Sequence, residues 1–346
     1  MEEVAAANAT LREIAGLTLR IKTGGDGAAA SLEDQRDLAV SRLSESLEVR
    51  AVRQPGGDLL LVARGGVVLP LDPERDVLAT AGAAVRPGAS FASGTLPGIS
   101  LNGIDVTGQI GGGRLGEFVA LRDSTLPRHQ AEADVLAATV SRRLYVQGLR
   151  LFTDAGGAVP PDPAGAYAGG PQVGLAGRLR LDAAVAANPA LLRDGTHALT
   201  GAPGAHTAFA PNPAGGPAGF TMLLDRVLDF GFGAEAAAGA PWPAIRTAGL
   251  GPDGTLASPF AAPAGLEGYA ARIAAAQTGD RAAATEARSQ AEALRGVLQD
   301  RFGRRSGVDP DAEMAAMVQL QNAYAANARV LGTVQAMWDS LLSAVR

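Results

Sequence analysis

From Met317 onward, apolar side chains recur at alternating steps of three and four residues. The series is Met317, Leu320, Tyr324, Asn327, Leu331, Val334, Trp338, Leu341 and Val345, and Asn327 is its one polar member. This spacing keeps one narrow stripe along one side of a helix, the a/d seam of a coiled coil. Asp309 is placed to cap that helix, Pro310 suits its first turn, and Asp311 and Glu313 put negative charge at its N-terminal end. A seam needs a partner helix, so this segment directs the reading toward assembly rather than catalysis. Asn327 marks either a locally exposed seam or a polar knob that fixes register.

A second 3,4 series, Val4, Ala7, Leu11, Ile14, Thr18 and Ile21, predicts a helix over 3–21 that ends at a glycine-rich stretch, 23–27. A helix over 32–47 follows, with Ser31 as its expected cap. The period then changes to two. Residues 48–53 alternate, Pro55-Gly56-Gly57-Asp58 turns, and 59–63 returns, which is the pattern of a β-hairpin. Short strands continue over 67–71, and 99–110 offers a pair of strands about Asn102-Gly103. Leu115, Phe118, Leu121, Leu136, Val140 and Leu144 predict a helix over 115–151, kinked at Pro127. Residues 153–217 are rich in Gly, Pro and Ala, with only short ordered candidates at 174–181 and 183–192. A short helix is expected over 220–232 and loop over 233–263. A long Ala-rich helix over 265–302 carries Leu266, Tyr269, Ile273, Leu294, Leu298 and Phe302.

The expected fold class is therefore α+β, mainly α: an elongated bundle of long helices from both ends of the chain, with a β-rich segment and a Gly/Pro-rich lobe inserted. The expected division is a helical core from 1–152 and 263–302, containing the β-rich segment 48–110; a loop-rich lobe at 153–262; and a coiled-coil assembly helix at 306–346. With 346 residues and 47% hydrophobic composition, substantial cores are available, while the 4% aromatic content favours thin, Ala-lined helix packing.

Composition also excludes functions. A net charge of -5 with acids and bases interspersed leaves no nucleic-acid footprint. The absence of cysteine removes disulfides, thiolate nucleophiles and Cys-ligated metals. No apolar run is long enough to span a membrane, and the acidic start, Met1-Glu2-Glu3, is no secretory signal peptide.

One motif invites a cofactor. Gly111-Gly112-Gly113-Arg114-Leu115-Gly116 fits G-x-G-x-x-G, follows a candidate strand, opens a helix, and has Glu132 and Asp134 downstream. A nucleotide-dependent enzyme built on this loop is the rival reading. No apolar parallel strand follows to present the acid to a ribose, so the expectation is a strand-to-helix corner and no cofactor. His129, His197 and His206 show no metal-ligand spacing, and the other carboxylates are expected in surface pairs with arginines along helices.

The segment from Met317 to Val330, with Gln321-Asn322-Ala323-Tyr324-Ala325-Ala326-Asn327-Ala328-Arg329-Val330 at its centre, resembles the C-terminal signature of flagellar rod, hook and hook-associated proteins, as does Trp338-Asp339-Ser340-Leu341-Leu342. Two upstream segments narrow the resemblance. Leu32-Glu33-Asp34-Gln35-Arg36-Asp37-Leu38, and Gly112-Gly113-Arg114-Leu115-Gly116-Glu117-Phe118 through Arg122-Asp123, are similar to segments of flagellar hook-associated protein 1, the hook–filament junction family. That resemblance implies a non-enzymatic, extracellular structural subunit of the bacterial flagellum. It also implies self-assembly into a ring through terminal helices, and export by the type III route without a cleaved signal peptide. The implied partners are hook protein, a second hook-associated junction protein, and an export chaperone on the C-terminal helix. A hook or distal rod axial protein is the alternative. The family's S-N-N-I-A-N helix, where its export signal lies, has no counterpart here, so either a truncated chain or an abbreviated product is expected.

Overall fold

A computed structural model describes residues 1–24, 29–201, 206–263, 265–306 and 310–344. The chain divides into two compact units, 1–277 and 278–346. The fold is α+β and mainly α.

The first unit opens with α1 (Glu2–Thr23) and α2 (Ala29–Ser46). Ser31 lies inside α2 rather than capping it, and the helix begins three residues earlier than expected. A three-stranded antiparallel sheet follows: β1 (Val49–Arg53), β2 (Leu59–Ala63) and β3 (Val68–Leu69), with Val49 opposite Ala63. The alternation read from the sequence appears in β2 as buried Leu59, Leu61 and Ala63. A second sheet joins β4 (Leu78–Ala79), β5 (Ser100–Leu101) and β6 (Ile104–Asp105). Its β5–β6 turn places both Asn102 (φ 50°) and Gly103 (φ 82°) in the left-handed region, which explains the Asn-Gly pair.

One core unites these elements. The predicted 3,4 series of α1 is its spine: Val4, Ala7, Leu11 and Ile14 are buried with Leu32, Ala39, Leu43 and Leu47, the sheet residues Leu61, Leu69, Leu78 and Leu101, and Leu115. Asn8 ties α1 to the second sheet through both backbone groups of Leu78: its amide donates to the carbonyl (2.7 Å), and its oxygen accepts from the N–H (3.0 Å).

The helix expected over 115–151 is two helices, α3 (Gly113–Ala120) and α4 (Leu126–Tyr145), joined by a π-helical turn at 121–125. Pro127 explains the break, because it has no N–H for the carbonyl four residues back and its ring needs room there. The inserted segment contains β7 (Phe152–Thr153), α5 (Leu175–Arg178), β8 (Arg180–Leu181), α6 (Ala183–Ala187), α7 (Leu191–Asp194) and α8 (Met222–Arg226), which leads into a second π turn at 227–231. Two small hairpins follow where loop was expected: β9 (Glu235–Ala237) with β10 (Ala240–Pro241), and β11 (Ala248–Leu250) with β12 (Leu256–Ala257).

Two further clusters hold this material. Ala131 and Val135 of α4 pack with Tyr167, Ile245, Leu250, and the first turns of α9 (Leu266–Ser306) through Leu266, Tyr269 and Ile273. Leu149, Phe209 and Leu223 form the third. Within the first unit, the long helices therefore do not share one bundle core. Leu11 and Leu43 lie in the first cluster, Leu136 packs on the second, and Leu294 is 60% exposed. Periodicity made each face apolar without fixing which face it meets.

The second unit contains the rest of α9 and α10 (Pro310–Ala344). Leu298 and Phe302, named above on the long Ala-rich helix, are exposed.

Candidate assembly surface

Seven apolar members of the predicted seam, Met317, Leu320, Tyr324, Leu331, Val334, Trp338 and Leu341, lie exposed on α10, as does Asn327; Tyr324 reaches 79% exposure. Val345 and the expected cap Asp309 lie outside the described residues. Helix formation follows from composition: between 310 and 344 the chain is Ala-rich, has no internal proline, and holds one glycine, Gly332. Charge is sparse, with only Asp311, Glu313, Arg329 and Asp339.

The exposed face is wider than the seam. Taking Met317 and Leu320 as positions a and d, the g positions carry Ala316, Ala323, Val330 and Met337. The e positions carry Met314, Gln321, Ala328, Gln335 and Leu342. Two-stranded coiled coils place charged residues at e and g, where they pair across the interface. Here every flanking position is apolar or uncharged. Met314, Val330, Met337 and Leu342 are large, and all are exposed. A stripe that extends from a and d to a flank is the pattern of a helix covered by more than one neighbour. This breadth was missed in the sequence, although the uncharged e and g positions were there to be read.

The segments that carried the resemblance upstream are joints in the fold. Arg36 is almost fully buried and its Nη1 donates to the Gly57 carbonyl at 2.7 Å, pinning α2 to the β1–β2 turn. Next to it, Asp37 accepts from Arg53 at 2.6 Å. Arg122 makes a two-pronged pair with Asp123, both contacts at 2.7 Å. It also donates to the Pro97 carbonyl and lies over the Phe91 ring.

The glycine-rich loop is a filled corner. Gly112 (φ 69°) and Gly113 (φ 59°) turn the chain into α3, and a Cβ on Gly113 would meet the Ser46 carbonyl carbon at 2.6 Å. A Cβ on Gly116 would lie 2.9 Å from the Gly111 carbonyl carbon. Arg114 reaches back to Glu3 at 2.9 Å. The C-terminal end of α2 thus packs directly against this glycine turn.

The two carboxylates downstream of the glycine motif are fully buried. Asp134 accepts from Gln130 (2.9 Å), the Tyr167 hydroxyl (2.7 Å), and the N–H groups of Gly174 (2.6 Å) and Ala176 (2.8 Å), so one α4 side chain organises the 167–176 loop. Burial, with the Asp134 hydrogen bond and charge, raises the Tyr167 pKa far above its ordinary value. Glu132 lies by Tyr269, whose pKa is also raised, first by burial and then by the Glu132 charge. Of the histidines, His129 lies on α4, His197 stacks on Tyr145 at 4.4 Å, and His206 lines a cavity. Among the described residues no group of three metal-ligating side chains comes together, and no helix is long and apolar enough to cross a membrane.

Comparison with known proteins is consistent with this arrangement. Residues 1–152 match the flagellar hook-associated protein FlgK helical domain, and residues 302–344 match the flagellar basal body rod FlgEFG protein C-terminal domain. Two domains of flagellar axial proteins, one near each end, define the class: a structural component of the flagellum. The first of them narrows the likeness further: over residues 1–152 the chain resembles the flagellar hook-associated protein FlgK. Among solved structures, the flagellar hook junction protein FlgK from Burkholderia pseudomallei matches at 27% identity with a TM-score of 0.34. The match covers 44% of this chain and 28% of that one, so the chain spans less than a third of that protein. Among curated proteins, none matches.

Proposed function

We propose that this chain is a hook–filament junction subunit that assembles through α10 and carries no catalytic group. The observation that carries the reading is the uncovered apolar face of α10, which includes Met317, Leu320, Tyr324, Leu331, Val334, Trp338 and Leu341. An apolar stripe of that length gains stability by packing against other helices. The uncharged flanks favour several such helices, as in a closed ring of subunits. On this reading the partners are further copies of the chain, hook protein and a second hook-associated junction protein. Before assembly, an export chaperone covers α10, and the subunit reaches the cell exterior by type III export without a cleaved signal peptide.

The proposed division of labour assigns 1–152 and the start of α9 to the core, 153–262 to a lobe, and 306–346 to assembly. A hook or distal rod protein would share the C-terminal domain, but the match over 1–152 favours the junction family. The filled glycine corner speaks against the nucleotide-dependent enzyme.

Paired substitutions Leu331→Asp and Leu341→Asp test the reading in a deletion strain complemented with the full-length gene. Each removes a side chain whose burial is worth roughly 1.5–3 kcal/mol and puts a charge in its place. The expected result is loss of swimming and filaments shed into the medium, with the subunit still folded and secreted. Firmly attached filaments would overturn the assignment of this face.

A further inference from the structure

A cavity of about 370 Å³ opens at the C-terminal end of α4, within the first unit. Its polar lining is Thr139, Arg142, Arg143, Arg246, His206 and Asp162, and Trp242 with neighbouring prolines forms its apolar wall. Three arginines face one carboxylate, in a chain whose net charge is negative. The volume falls within the range of small-ligand sites, roughly 300–1,000 Å³.

The fold holds Arg142 and Arg246 with neutral groups. Arg246 donates from Nη2 to the Ala164 carbonyl at 2.8 Å, while its Nε is buried without a hydrogen-bond partner. Arg142 lies over the Tyr145 ring at 5.7 Å. Among the described residues, neither Arg142 nor Arg246 makes an ion pair. Arg143 is almost fully buried, donates to the Gly233 carbonyl at 3.0 Å and lies over the Trp242 ring at 4.8 Å. Burial pushes its pKa down to about 10, the sign of a cation held out of water. The one carboxylate, Asp162, accepts from the Ala164 N–H at 2.9 Å and turns its own loop. Trp242 is fixed by its indole N–H, which donates to the Phe230 carbonyl at 2.7 Å.

We propose that this cavity binds a carboxylate attached to an apolar body, either a free organic acid or an acidic side chain of a partner segment. A carboxylate is planar and accepts from a guanidinium edge in two-pronged fashion. The apolar body takes the Trp242 and proline wall. The site is independent of α10 and of the junction reading.

Trp242 is one of two tryptophans, so the full chain carrying Trp338→Phe reports the site by fluorescence. The probes are 3-phenylpropanoate, its uncharged amide 3-phenylpropanamide, and the capped dipeptide acetyl-Glu-Leu-amide. The expected result is a saturable change with the acid and none with its amide. Adding Arg246→Gln or Arg142→Gln should weaken it about tenfold or more, and Arg246→Lys should restore part of it. Arg142→Gln serves if the Arg246 variant unfolds. Tighter binding of the dipeptide supports a partner's acidic side chain, and tighter binding of the acid supports a free ligand. Equal response to acid and amide, no saturation with any probe, or unchanged binding in the folded Arg142→Gln variant would overturn the proposal.

Discussion

Replacing Gly113 with alanine separates a structural corner from a nucleotide cradle. Gly113 sits at φ 59°, and an added Cβ would stand 2.6 Å from the Ser46 carbonyl carbon and 2.7 Å from the Leu47 nitrogen. The left-handed conformation costs an alanine about 1–2 kcal/mol. The contacts are with backbone, not a flexible side-chain tip, so either α2 or α3 must shift, an overpacking cost of roughly 1–3 kcal/mol. Reduced freedom of the unfolded chain returns about 0.4–1 kcal/mol. The net is about 2–4 kcal/mol lost from the first core. With a urea dependence of about 1–3 kcal/mol per molar, the midpoint should fall by about 1–2 M. Hydrogen exchange at α1 and α2 amides, measured alongside, locates the loss in that core. Gly16→Ala is the control: its Cβ meets nothing within 4 Å inside α1, so it should stabilise by about 0.5–1 kcal/mol. A Gly113→Ala protein with an unchanged midpoint would refute the steric argument.

Asn8→Ala strips both backbone groups of Leu78 of their buried partner and should cost roughly 2–4 kcal/mol in urea unfolding, with exchange quickened first at β4 and β5. Tyr167→Phe removes a hydrogen bond to a carboxylate and should cost about 1.5–3 kcal/mol at neutral pH. Because the folded-state pKa of Tyr167 is raised, its contribution is complete below the ordinary tyrosine value of about 10 and is lost as pH rises beyond it. The variant's stability should therefore fall less steeply than wild type in alkaline urea titrations.

What the sequence made legible was local. The α1 series, the alternation of 49–53 with 59–63, and the Asn102-Gly103 turn each depend on neighbours within a few residues, and each forms as read. Partners were not legible. The stripe Leu294, Leu298 and Phe302 has the same kind of spacing as buried Val4, Ala7 and Leu11, yet it lies exposed. Spacing states that a face is apolar and leaves open what covers it. Buried polar joints were hidden for a related reason. Asp134 sits among arginines on a helix and reads as surface charge until the loop from Tyr167 to Ala176, some forty residues later, folds over it.

The contrast between α1 and α10 bears on how the terminal helix is used. In α1 the chain covers its own stripe with α2 and two sheets. In α10 seven large seam side chains stay more than half exposed, so covering them is worth on the order of 10 kcal/mol gross. Association costs about 4–15 kcal/mol in lost freedom before any net affinity appears. A two-helix pairing through the a/d seam alone would lack the e/g charge pairs that reinforce such pairings and would leave the apolar flanks in water. Met314, Val330, Met337 and Leu342 shift that balance, because a second neighbour covers them as well. The wider face therefore favours α10 packed among several helices of an assembly over α10 zipped to a single partner.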